Sequence, residues 1–264
     1  MKEKMNEYFS GEKLYGDDFS LAEIKKWYKD EKEGYSRLIE PETHHYGDNA
    51  INYVHGYSVL GDAKFKDVLG FGSARGDEFV PILDRIENLT IVDPSEKLKE
   101  NVIKGKKINY VSPKVSGELP FDNNSFDLIT CFAVLHHIPN VSKIIAEFAR
   151  VLRHGGYLLI REPIVSMGDW RKHRRGITKH ERGIPIGLFR EMVSGAGLKV
   201  IQERLVLFPL LIRMNAFGHS GGNSRILVWL DYVLGLLFSW NDGYHARNFF
   251  EKVRPQSVFF VLRK

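Results

Sequence analysis

From Lys64 onward, short apolar runs alternate with longer stretches in which apolar residues recur every third or fourth position. Runs of about four to eight β-favouring residues bounded by turn formers read as strands, and a period of about 3.6 residues reads as helix. The pattern predicts strands at Asp67–Gly70, Thr90–Asp93, Asn109–Val111, Phe126–Phe132, Tyr157–Arg161, Lys199–Leu207 and Ser257–Leu262. It predicts helices at Asp77–Ile86, Ser95–Lys104, Val141–Leu152 and Pro185–Ala196. Strands that alternate with helices build a parallel sheet with helices on both faces. The N-terminal segment is all helical: Leu21, Ile24, Trp27 and Tyr28 share a face behind a capping Ser20. Glu40-Pro41 ends that helix, and a second helical stretch covers Asn49–Leu60.

The first strand runs into FKDVLGFGSARG, where Gly70, Gly72 and Gly76 allow a tight turn and close approach of the backbone to a ligand. A helix that starts there offers free N–H groups, the arrangement of a nucleotide-binding βαβ unit. The next apolar run, LTIVD, ends in Asp93, an acid placed to accept hydrogen bonds from both hydroxyls of a ribose. Asp93-Pro94-Ser95 is equally a good helix start, so Asp93 reads as an N-cap too.

Further motifs follow in order: Leu119-Pro120-Phe121, Phe126-Asp127, Leu135-His136-His137-Ile138, and Arg150-Val151-Leu152-Arg153-His154-Gly155-Gly156. Together with the glycine turn, this series over Lys64–Glu162 resembles the class I S-adenosylmethionine-dependent methyltransferases, in particular the UbiE-like small-molecule branch. The resemblance implies an α/β, Rossmann-like fold: a seven-stranded, mostly parallel sheet sandwiched by helices, its last strand inserted antiparallel, with an N-terminal helical cap. It divides the chain into a cap at 1–60 and a methyltransferase domain at 61–264, with insertions at about 163–183 and 209–243. It implies S-adenosyl-L-methionine as cofactor, held by Gly70, Phe71, Gly72, Ser73, Gly76, Asp93, Pro94, Ser95, Val115, Ser116, Cys131, Phe132, Ala133 and His136. Two positions depart from the pattern. The family carries an acid where this chain has Gly70, and often another where it has Val115; Ser116 or backbone groups would stand in for the second.

Methyl transfer needs an aligned acceptor and, for a hydroxyl, a base. Candidate bases are His137, Glu162 at the tip of the fifth strand, and His55, with His44 and His45 also in the cap. Cys131 reads as a small buried lining residue. Adjacent histidines project in different directions, and no third ligand lies at a metal spacing, so no metal is expected.

The run RKHRRGITKHER at 171–182 reads either as a solvated loop or as a site for an anionic group. Tyr46, Arg161, Arg174, Arg175 and His180 are the candidate acceptor contacts. On that reading the acceptor is a small polar, anionic or sugar-containing molecule, methylated on oxygen; a non-catalytic cofactor-binding protein is the alternative. The run has no interleaved aromatics, so nucleic acid is not expected. One cysteine in 264 residues fits a reducing, cytoplasmic compartment. The longest apolar run, Ile226–Phe238, is broken by Asp231 and falls short of the about 20 residues of a membrane span. It reads as a buried or interfacial helix, with peripheral membrane contact left open.

Overall fold

The computed structural model describes residues 2–38, 46–209, 211 and 221–264, with side chains described outside 2–4 and 32–38. Its centre is an eight-stranded sheet built from β1 (Phe65–Phe71), β2 (Ile86–Val92), β3 (Val102–Ile103), β4 (Lys106–Val111), β5 (Phe126–Phe132), β6 (Leu152–Pro163), β7 (Lys199–Val206) and β8 (Ser257–Arg263). The strand order is β3-β4-β2-β1-β5-β6-β8-β7. β4, β2, β1, β5 and β6 run parallel, and β8 enters antiparallel between β6 and β7. The parallel order reverses between β1 and β5, which opens a crevice at the carboxyl edge there.

Helices α1 (Lys2–Ser10), α2 (Leu21–Leu38), α3 (Asn49–His55), α4 (Val141–Val151), α5 (Ile186–Gly195) and α6 (Arg225–Leu237) surround the sheet. One core layer joins the strands to α4 and α5 through Ile145, Phe148, Phe189 and Val193. The other joins them to α3 and α6 through Ile51, Val54 and Val228. Ser20 opens α2 as expected: Glu23 accepts from the Ser20 backbone N–H at 2.8 Å and from its hydroxyl at 2.6 Å, a capping box.

Two expected helices are corrected. Asp77–Arg85 is a 3₁₀ segment rather than an α-helix, because Pro81 inside it supplies no N–H and clashes with the preceding turn. Ser95–Lys104 is a short 3₁₀ turn over Glu96–Leu98 followed by β3, which pairs antiparallel with β4. The two-residue connection is Lys104-Gly105, with φ of 45° and 86°, the left-handed pair that a tight hairpin turn requires. The first arm of this hairpin, β3, is the strand added to the seven expected.

The motif series has a mechanical role. Arg150 donates to the carbonyls of Phe121 and Leu119 at 2.8 and 2.9 Å, while Glu147 accepts the Leu119 N–H at 2.8 Å. Arg153 bridges Asp127 and Asp67, tying β5 to β1.

Candidate cofactor site

A cavity of about 360 Å³ opens at the carboxyl edge beside the crevice. Its floor is Phe71 and Gly72 after β1 and Asp93, Pro94 and Ser95 after β2. Val115, Gly117 and Leu119 form one wall, Ala133, Val134 and His137 the other, and Ile24, Tyr28 and Glu31 of α2 close the top.

Asp93 knits the floor. Its Oδ2 accepts the Ala74 N–H at 3.0 Å and its Oδ1 accepts the Ser95 N–H at 2.8 Å, while Gly72 N–H reaches the Val92 carbonyl at 2.8 Å. Burial raises the Asp93 carboxyl from its ordinary value, and hydrogen bonds from the Ser95 and Ala74 backbone and the Tyr110 side chain partly offset that. A carboxylate has about four acceptor positions, so these bonds still leave acceptor capacity for a ribose hydroxyl. The turn itself rests on Gly72 at φ 69°, Ala74 at φ 47° and Gly76 at φ 82°. A Cβ on Gly72 would lie 2.4 Å from Val134, so the glycine lets the β1 and β5 turns touch.

Behind the glycine turn, outside the cavity lining, lies a buried acid that sequence patterns did not reveal. Gly70 leaves its place to Ser73: a Cβ there would lie 2.3 Å from Ser73 Oγ. That hydroxyl donates to Glu78 Oε1 at 3.0 Å, and Thr130 of β5 donates to the same oxygen at 2.5 Å. Burial pushes the Glu78 carboxyl up to about 7. Glu78 thus ties the glycine turn to β5 through Ser73 and Thr130. Beside it Arg161 pairs with Asp48 at 2.7 Å, and Tyr46 accepts from Asn52. Arg161 Nε and Asn52 Oδ1 are buried without a described hydrogen-bond partner.

The other expected site residues fall into distinct places. Phe71, Gly72, Asp93, Pro94, Ser95, Val115 and Ala133 line the cavity, and so does His137. Gly70, Ser73, Gly76, Ser116, Cys131, Phe132 and His136 do not line it. Ser116 is held in its turn, its carbonyl accepting from Asn140 at 3.0 Å. Burial pushes the Cys131 thiol well above its ordinary value, so it is no nucleophile.

Glu162 is corrected as a base. It is fully buried, and its two oxygens accept the N–H groups of Val134 (2.7 Å), Leu135 (2.7 Å) and His136 (3.3 Å). The His136 ring adds a fourth bond at 2.9 Å. All four acceptor positions are filled holding the Leu135–His137 turn. His55 is corrected too: it lies between α3 and β7, where Arg204 donates to its Nδ1 at 3.0 Å. Burial, with the charges of Arg204 and Arg161, lowers it to about 3, far from the cavity lining. His44 and His45 lie outside the described residues.

His137 keeps an exposed side to the cavity, and its Nδ1 lies 2.9 Å from Glu31 of α2. Glu181 is 3.7 Å away, so the insertion brings the third ligand type that spacing did not show: the candidate donor atoms of His136, His137 and Glu181 lie within 4.8 Å of one another. Nδ1 of each histidine already faces a carboxylate.

The basic run does not form an anion pocket. Arg174 donates to the carbonyls of Met167, Glu181, Thr178 and Lys179, and Arg182 is buried among backbone carbonyls. Arg171 pairs with Asp169, and Lys179 and His180 with Asp30. Arg175 points to solvent. The charges fold the insertion onto α2, where His180 also stacks on Trp27 at 4.4 Å.

Comparison with known proteins bears on the fold and the central domain. Residues 69–160 match the model of the methyltransferase domain family. Over 92 residues the chain is 35% identical to the ubiquinone/menaquinone biosynthesis C-methyltransferase UbiE of Vibrio campbellii, covering 35% of each chain. Over 54 residues it is 41% identical to the phthiotriol/phenolphthiotriol dimycocerosates methyltransferase of Mycobacterium leprae, covering 20% of each. The matched stretch thus spans about a third or less of these relatives. The fold is similar to the crystal structure of an S-adenosylmethionine dependent methyltransferase from Mesorhizobium loti, with a TM-score of 0.55 at 15% identity, covering 83% of this chain and all of that one.

Proposed function

We propose that this chain, which carries a class I S-adenosylmethionine-dependent methyltransferase domain, transfers the methyl group of that cofactor to a small molecule with an apolar body. The observation that carries the reading is Asp93, which lines the cavity at the tip of β2 with acceptor capacity left over. It would hold the ribose, the walls at Val115 and Leu119 would flank the adenine, and the methionine end would run toward Ala133 and His137. The residues fit the cofactor: a polar anchor, an apolar slot and a glycine turn stand in the required order along one cavity.

His137, oriented by Glu31, is the group that would take a proton from the acceptor. Glu31 is suited to that: burial raises its carboxyl, but hydrogen bonds from His137 and Thr178 outweigh it and leave the group lowered, hence ionised. A sugar or anionic acceptor loses its main support, because Arg161, Arg174 and His180 are engaged within the protein and the exposed Arg175 does not line the cavity. An apolar acceptor is favoured instead, in keeping with the relatives named for quinone and dimycocerosate methylation. Calorimetry with S-adenosylhomocysteine tests the cofactor; absence of heat would overturn it. Label transfer from methyl-labelled cofactor into an organic extract of cells tests the acceptor. Label appearing only in the aqueous phase would overturn the apolar reading.

A further inference from the structure

Helix α6 is turned inside out. Its one acid, Asp231, faces the protein and accepts the N–H groups of Leu207 at 2.8 Å and Phe208 at 2.7 Å. Gly235 sits against the end of β7, where a Cβ would lie 2.7 Å from the Leu205 carbonyl. With Val228 these make the buried stripe. The opposite side, Ile226, Trp229, Leu230, Val233, Leu236 and Leu237, is exposed, Ile226 at 81% and Leu237 at 64%.

The apolar surface continues beyond the helix. Trp240 is 76% exposed, and Asn241 next to it donates to the Phe250 carbonyl at 3.0 Å, which brings the exposed Phe249 and Phe250 alongside. Of thirteen large apolar side chains exposed among the described residues, nine fall between Ile226 and Phe250. Scattered exposed apolar groups are ordinary, but a continuous field of this kind marks a contact surface.

We infer that this face docks on an anionic lipid bilayer, lying in the interface without crossing it. No helix among the described residues is long and apolar enough to span a membrane. The charge around the field selects the occupant. No acid projects from the outer side of α6, and cations border it: Arg225 at its start, Arg204 over the Trp229 ring at 5.1 Å, and exposed Arg247 and Lys252 beside the phenylalanine pair. Asp242 is the exposed acid nearby, while Glu251 is engaged with Arg247 and Asn248 backbone and side-chain N–H groups. A second copy would bring like-charged rims together, whereas anionic headgroups complement them. Trp229 on the helix and Trp240, Phe249 and Phe250 beyond its end suit the boundary between headgroups and acyl chains. The segment just before α6 reaches the carboxyl edge of the sheet: Asn223 accepts the Asn49 N–H at 3.0 Å, next to the Asp48–Arg161 pair. Docking would set that edge of the sheet against the bilayer.

Lipid binding needs no cofactor, so its test is separate from that of methyl transfer. The full chain is floated with phosphatidylcholine vesicles holding about one part in three phosphatidylglycerol, and with phosphatidylcholine alone. Preferential co-flotation with the anionic vesicles is expected. Ile226→Ser/Leu237→Ser/Phe250→Ser should lower the partition by roughly tenfold or more without lowering the melting temperature, since these side chains are exposed. Phe250→Ser alone should lower it several-fold, and Arg247→Glu/Lys252→Glu should remove the preference for anionic vesicles. Failure of the wild type to float, or equal partition of the triple variant, would overturn the inference. So would a dimer in sedimentation that the triple variant dissolves, which would assign the face to a second copy.

Discussion

Two carboxylates stand at the carboxyl edge of the same sheet and do opposite work. Asp93 at the tip of β2 accepts two described backbone N–H groups and faces an open cavity. Glu162 at the tip of β6 accepts three, plus a histidine ring, and faces nothing but protein. Position at a strand tip therefore does not decide the role of an acid. What the acid already holds does: Asp93 still borders the open cavity, whereas Glu162 is spent on the turn after β5.

Glu162→Gln gives the strongest test of that division. An amide NH₂ cannot accept from the turn, so buried donors lose their partner, and stability should fall by about 4 kcal/mol in urea unfolding. A loss below about 1 kcal/mol would break the comparison. Glu78, the acid behind the glycine turn, gives the next largest effect. Its carboxyl rises from 4.5 to about 7 on folding, so the folded chain holds the proton longer than the unfolded one. Its contribution is present below pH 4.5 and is lost as pH rises to about 7, by up to roughly 3 kcal/mol. Glu78→Gln should flatten that part of the stability profile, and an unchanged slope would count against it.

Gly70→Ala should cost about 2 kcal/mol, because its methyl group would meet Ser73 Oγ at 2.3 Å. Ser73→Gly in the same chain should recover part of the loss in thermal melts. Smallest in stability terms, Asp93→Asn should leave the fold standing yet weaken S-adenosylhomocysteine by about tenfold in calorimetry, one hydrogen bond to a charged acceptor. Unchanged affinity there would move the ribose away from β2.

Asp93 was legible in the sequence because its setting is local: an acid closing an apolar run, followed by Pro94-Ser95, both within reach of the same side chain. Glu162 was not, since its partners come from 26 to 28 positions earlier in the chain. The strand alternation placed the parallel sheet and the family resemblance implied its antiparallel insertion, but Ser95–Lys104 was misread because polar spacing outweighed the Lys104-Gly105 turn signal. Glu78 stayed hidden for a similar reason: no spacing pattern says that Ser73 takes the space left by Gly70 and turns its hydroxyl to Glu78. The basic run misled because its partners are main-chain carbonyls, which are the same in every sequence.

Arg182 carries a consequence for how the chain comes apart. Its guanidinium donates to the carbonyls of Tyr15, Leu135, His136, Ile138 and Pro139, and it lies 5.4 Å from the Trp27 ring. One side chain thus joins the N-terminal segment, the histidine turn and the 163–183 insertion across 167 positions of sequence. Peeling the N-terminal helices away would strand a buried cation with fewer acceptors, so those helices should not fray as an independent foldon. Native-state hydrogen exchange would then give α2 and the turn after β5 the same opening free energy, and a trimmed chain starting near residue 60 would lose cooperativity along with its lid.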